Sequence, residues 1–119
     1  MKILIMTIVL LLSFSAEAES IERGAIPFEA EGTVITTSPV REAPPHGLFN
    51  LFVGQQIEST RQNSTVKIIG KKTYGGFSGT NVWYQVESVN DLTATEDRPL
   101  WIYGGVEGEA QQIQINRTE

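Results

Sequence analysis

The chain has 119 residues, 19% of them charged, a formal net charge of −5 and no cysteine. The missing cysteine excludes disulfides, thiolate metal sites, a cysteine nucleophile and a lipid-modified N-terminal cysteine. The acidic balance argues against nucleic acid as a partner, because phosphate binding needs a basic field.

Met1-Lys2 opens the chain, an apolar run follows from Ile3 to Leu12, and Ser13-Phe14-Ser15 leads to Ala16-Glu17-Ala18. A basic start, a short apolar stretch and a small-x-small exit predict a secretory signal peptide over residues 1–18, cleaved after Ala18. The run is far short of the roughly 20 residues a membrane span needs, so no stable membrane anchor is expected. The expected mature chain of about 100 residues supports one small domain with a modest core. Its predicted location is the periplasm or the exterior of the cell.

Residues 19–31 are acidic and broken by Gly24 and Pro27, which predicts an extended lead-in. The β-branched run Gly32 to Thr37 reads as a first strand, ended by Ser38-Pro39. Pro44-Pro45-His46-Gly47 cannot be a regular element. Leu48-Phe49-Asn50-Leu51-Phe52-Val53 is too apolar for a solvated loop, and fits a short buried strand, one helical turn or a loop folded over a core. Gln56 to Thr60 and Thr65 to Gly70 read as strands, with Val66 and Ile68 on one face and Lys67 on the other. Lys71 to Asn81, with Gly75, Gly76 and Gly79, reads as a long hairpin excursion, and polar Asn90 to Pro99 as a second one. Between and after them lie two aromatic strands, Val82 to Val89 and Leu100 to Tyr103, the latter ending on Gly104-Gly105, which reads as a turn. Ala110 to Ile115 alternates and adds a possible edge strand within a tail over residues 107–119. Many short strands with no long amphipathic helix give an all-β class.

The order of motifs resembles the bacterial SH3-like domain family. Pro39-Val40-Arg41-Glu42-Ala43-Pro44 matches a Val-Arg-x-x-Pro segment, and Val66-Lys67-Ile68 a Val-x-Val strand. Trp83-Tyr84-Gln85-Val86 matches a Trp-Tyr-x-Val strand, and Trp101-Ile102-Tyr103-Gly104-Gly105 a closing Gly-Trp-Val-type strand. The resemblance implies a small barrel of about five strands with long loops over residues 32–106. It also implies a non-catalytic module that binds a peptidoglycan peptide or an envelope protein and needs no cofactor. Two departures stand out. Asn63 replaces the usual turn glycine, which asparagine can do because it tolerates the left-handed region. The loop Arg41 to Gly54 is longer and more apolar than is usual.

Catalytic chemistry has little to build on. His46, the only histidine, lies between proline and glycine without ligand-spaced partners, so it reads as an exposed turn residue. Glu96-Asp97 are neighbours that would face opposite ways on an extended chain. Binding residues are better supported. If Tyr84, Val86 and Ile102 face a core, then Trp83, Trp101 and Tyr103 face out, as an open aromatic patch or beneath a satellite core supplied by Phe49, Phe52 and Phe77. Arg41 either pins its loop or presents its fork to a carboxylate. With Tyr74, these make the candidate ligand-binding set Trp83, Trp101, Tyr103, Tyr74 and Arg41. A protein-interaction or inhibitor role using a sheet edge near Ile113 and Ile115 is the alternative.

Overall fold

The computed structural model describes residues 25–76 and 79–118. The expected signal peptide, residues 19–24 of the lead-in, Phe77 and the side chain of Phe49 lie outside the described residues.

The all-β expectation holds. Eight strands form one antiparallel sheet: β1 Ile26–Val34, β2 Pro39–Arg41, β3 Gln56–Ser59, β4 Thr65–Gly76, β5 Gly79–Val89, β6 Leu92–Thr93, β7 Leu100–Val106 and β8 Ile113–Thr118. Their order is β3-β2-β7-β5-β4-β1-β8, with β6 beside β5. No ladder among the described residues joins β3 to β8, so as a hydrogen-bonded sheet it stays open. A 3-10 turn at Leu48–Asn50 is the one helical element described.

Alternation decides which face each strand buries. Val66 and Ile68 of β4 are buried, while Lys67 between them points to solvent and pairs with Glu87 at 3.0 Å. Val82, Tyr84 and Val86 of β5 meet Leu100 and Ile102 of β7 in a single inner core with Ala30, Val34, Val40, Val89 and Ile113. The predicted parity of Tyr84, Val86 and Ile102 is therefore observed. So is the left-handed turn at Asn63, with φ 70°; its N–H donates to the Val34 carbonyl at 2.7 Å.

Several boundaries differ from the sequence reading. β1 begins at Ile26, inside the expected lead-in, because the long β4 offers it a partner back to Lys71. The supposed excursion over residues 71–81 is mostly strand. β4 and β5 stay paired out to Gly76 and Gly79, and the glycines lie within the ladder. Gly104-Gly105 is not a turn either; both residues belong to β7, and the chain reverses at Glu107 and Gly108. Glycine is needed at 104 for room: a Cβ there would lie 2.4 Å from the Tyr84 ring. The edge strand exists, displaced to Ile113–Thr118.

Candidate functional site: an aromatic face beneath a loop

The register of three ladders puts the candidate residues on the face opposite the core. Arg41 on β2 is opposite Trp101 on β7, and Trp101 is opposite Gln85 on β5. Trp83 is opposite Tyr103 on one side and Lys72 on the other, and Tyr74 is opposite Asn81. Cross-strand partners share a face, so Arg41, Trp101, Trp83, Tyr103 and Tyr74 converge on one outer surface. The Trp83 and Tyr103 rings lie 5.4 Å apart, tilted by 52°, within the range of favourable ring pairs.

This surface is covered, not open. Trp101 is 0% exposed and Trp83 9%. The loop from Glu42 to Gln55 lies on this side of the sheet, running from β2 to Tyr74 on β4, beyond β7 and β5 in the strand order. Its neck is held by Glu42 N–H to the Gln55 carbonyl and Gly54 N–H to the Ala43 carbonyl, at 3.1 and 3.0 Å. Arg41 Nη1 donates to the Gly54 carbonyl at 3.1 Å, so Arg41 pins its own loop, the structural one of its two expected roles. At the far side the Tyr74 hydroxyl donates to the Pro45 carbonyl at 2.8 Å. Gly54 is required at the neck, because a Cβ there would meet the Ala43 nitrogen at 2.2 Å.

Of the residues expected to form a cover, only the side chain of Phe52 is among those described. Phe52 is 61% exposed and stands beside the His46 ring, at 6.5 Å between centroids. Pro44 is fully buried instead. A proline pair has its backbone preset and few torsions to lose, which suits a rigid cover. The apolar run turns outward: Leu48 is 71% exposed, Leu51 74% and Val53 42%. The backbone of His46 and Phe52 exchanges two hydrogen bonds, at 2.7 and 3.1 Å, which close this tip at its base.

What remains accessible on the face is a rim of half-buried groups. Tyr103 donates its hydroxyl to Asn81 Oδ1 at 2.6 Å, and Asn81 is opposite Tyr74 on β4 and Val106 on β7. Lys72 sits over the Tyr74 ring at 5.3 Å. Lys71, one residue earlier, faces the other side and sits over Phe28 at 5.4 Å. The two adjacent lysines thus make separate cation–π contacts on opposite faces. Beneath the rim, the Trp101 indole N–H is buried with no acceptor among the described residues. Asn81 and the two prolines were not among the sequence candidates. The proline pair beside an apolar run is a usable signal for such a cover, whereas nothing local marks Asn81.

Tyr84, on the core side, has its hydroxyl pushed above its ordinary value, first by burial and then by the charge of Glu107. Among the described residues no group of three His, Cys, Asp or Glu side chains is placed to hold a metal ion. His46 is exposed at the base of the loop tip, with its Nδ1 2.9 Å from the Pro44 carbonyl oxygen. Comparison with family models, curated proteins and solved structures gives no match.

Proposed function

We propose that this chain is an exported, non-catalytic binding module of the SH3-like kind that holds an extended peptide against its outer aromatic face. The observation that carries this reading is the convergence of Arg41, Tyr74, Trp83, Trp101 and Tyr103 on that one face. In this reading the tryptophans are the floor and the half-buried Tyr74, Tyr103 and Asn81 are the contact residues. Tyrosine suits the task, giving large area with few torsions to freeze and a hydroxyl for a peptide group. The Trp101 N–H, which has no acceptor among the described residues, is a donor that a peptide carbonyl would satisfy once the loop loosens, and a buried donor left alone costs about 1–3 kcal/mol.

A strongly curled sheet supports the barrel part of the proposal. Gln112, just before β8, donates its N–H to Gly104 of β7 at 2.9 Å, and its carbonyl accepts from Ile35 after β1 at 2.8 Å. The Ser38 hydroxyl donates to Gln112 Oε1 at 2.9 Å. These bonds draw β7 and the residues before β8 together without completing a ladder. The resemblance implies the ligand class, a cell-wall stem peptide or a peptide segment of an envelope protein.

Pull-down on peptidoglycan sacculi tests this reading. Wild-type protein should sediment with the wall, and Tyr103→Ala should remain in the supernatant while retaining its β-sheet circular dichroism. Wild-type protein that never sediments would refute the wall-peptide form. One observation favours a second reading, strand addition at a sheet edge. β8 pairs only with β1 among the described residues, contains no proline and exposes the uncharged Gln114, Asn116 and Thr118. Binding that survives Tyr103→Ala but is lost in Asn116→Pro would select it.

A further inference from the structure

The tip of the covering loop takes no part in the proposed peptide face, and its composition stands apart from the rest of the chain. No Asp, Glu, Lys or Arg lies between Glu42 and Glu58. Within that stretch Leu48, Leu51, Phe52 and Val53 expose their side chains from one short, convex turn. Exposed apolar residues gathered in this way mark a contact surface. From these observations we propose that the tip enters the interfacial region of a lipid bilayer with little net surface charge, holding the module reversibly at a membrane surface.

The size of the tip favours lipid over a protein surface. At roughly 100 Å² per side chain, and only partly exposed, the tip offers on the order of 300 Å². A standard protein interface uses about 800 Å² on each partner and demands matching shape. A bilayer demands no complementary shape and accepts a small convex apolar point a few ångströms deep. The backbone is suited to a poorly hydrated setting as well. The N–H groups of His46, Asn50, Leu51 and Phe52 donate to the carbonyls of Phe52, Gly47, Leu48 and His46, which lowers the cost of leaving water.

Charge sets the kind of lipid. The tip carries no formal charge, the nearest charges along the chain on its two sides are Glu42 and Glu58, and Arg41 is engaged by the Gly54 carbonyl. With a net charge of −5, the chain is repelled by an anionic surface at low salt. A zwitterionic surface is therefore preferred, and binding through this point alone is weak.

The absence of cysteine allows a direct test on the full chain. Leu51→Cys carries a single environment-sensitive dye at the tip. Gln62→Cys carries it on the exposed turn before β4, at the end of that strand remote from Tyr74 and the loop it holds. On adding phosphatidylcholine vesicles, the dye at position 51 should shift to the blue and brighten, while the dye at 62 stays unchanged. The response should vanish when Phe52→Asp is added, with circular dichroism intact because Phe52 is exposed, and should weaken as phosphatidylglycerol replaces phosphatidylcholine at low salt. No response at position 51, or equal responses at 51 and 62, would overturn the proposal, the second by assigning the contact to another part of the chain. A silent dye together with a monomer–dimer equilibrium abolished by Phe52→Asp would also overturn it, by giving the tip to a second copy. None of these outcomes depends on sacculus binding, so the peptide reading and the lipid reading fail separately.

Discussion

The two faces of β5 and β7 bury aromatic residues by different means. On the inner face, Tyr84 and Ile102 are enclosed by side chains from other strands of the same sheet. On the outer face, Trp83 and Trp101 are buried on the side where the loop over residues 42–55 is pinned, while Leu48, Leu51, Phe52 and Val53 of that loop are exposed. The inner face is redundant, with many strands contributing to one core. The outer face depends on a few pins: Arg41 to Gly54, Tyr74 to Pro45, and the buried ring of Pro44. The comparison teaches that a covered tryptophan need not be a silent one. A cover held by a handful of hydrogen bonds can loosen locally without unfolding the sheet, because local openings cost less than global ones.

The sharpest way to break the comparison is to cut into both faces. Trp101→Ala should cost about 3–5 kcal/mol and Ile102→Ala about 2–5 kcal/mol in urea unfolding, enough to endanger a domain of this size. A cost below about 1 kcal/mol for Trp101→Ala would mean that the loop does not seal its face. For the same reason Trp101→Ala is a poor test of binding, and the half-buried Tyr103 is the better position. Next in size is Gly104→Ala. It drives a methyl group into the Tyr84 ring and should destabilise by about 1–3 kcal/mol, the usual cost of overpacking. Tyr74→Phe removes one pin and should cost about 1 kcal/mol, with hydrogen exchange speeding up at the bonded amides of Glu42 and Gly54 but not within β4 and β5. Leu51→Asp touches nothing buried and should change stability by no more than about 0.5 kcal/mol.

The smallest effect is confined to high pH. The Tyr84 hydroxyl is held above its ordinary value of 10.0, so the folded state keeps this proton after the unfolded chain has lost it. Stability from this group is fully present below pH 10 and is lost as pH rises from there through the raised folded value. Tyr84→Phe should flatten that part of a stability–pH curve and leave the curve at neutral pH without a new slope. An unchanged alkaline slope in the variant would assign the loss to other groups.

The parity of the two aromatic strands was legible because alternation is a local property. Val82 to Val86 and Leu100 to Tyr103 each carry it over several residues, and the side opposite the core followed for Trp83, Trp101 and Tyr103. The turn at Asn63 was legible for a similar reason, since one residue's conformational tolerance decides it. The cover was not legible. Leu48 to Val53 has the composition of a buried segment, yet its Leu48, Leu51, Phe52 and Val53 are exposed while Pro44 is buried. What a loop touches depends on where it lands, here on the Tyr74 hydroxyl, 29 residues from Pro45 along the chain. In the sequence Gly75 and Gly76 suggest a loop-like excursion and Gly104-Gly105 a turn, because glycine commonly makes them. In the fold, Gly104 serves close packing against Tyr84, and Gly75 and Gly76 continue a ladder whose long partner strand keeps them extended.

The outer face is tested most directly by titrating the 15N-labelled protein with a soluble cell-wall stem peptide and following each backbone amide. The account predicts shifts at Arg41, Tyr74, Asn81, Trp83 and Tyr103, along the covering loop and at the Trp101 indole N–H, with the inner-face amides of Val66 and Ile68 unmoved. Shifts confined to Ile113 through Thr118, or none at a saturating concentration of peptide, would contradict it.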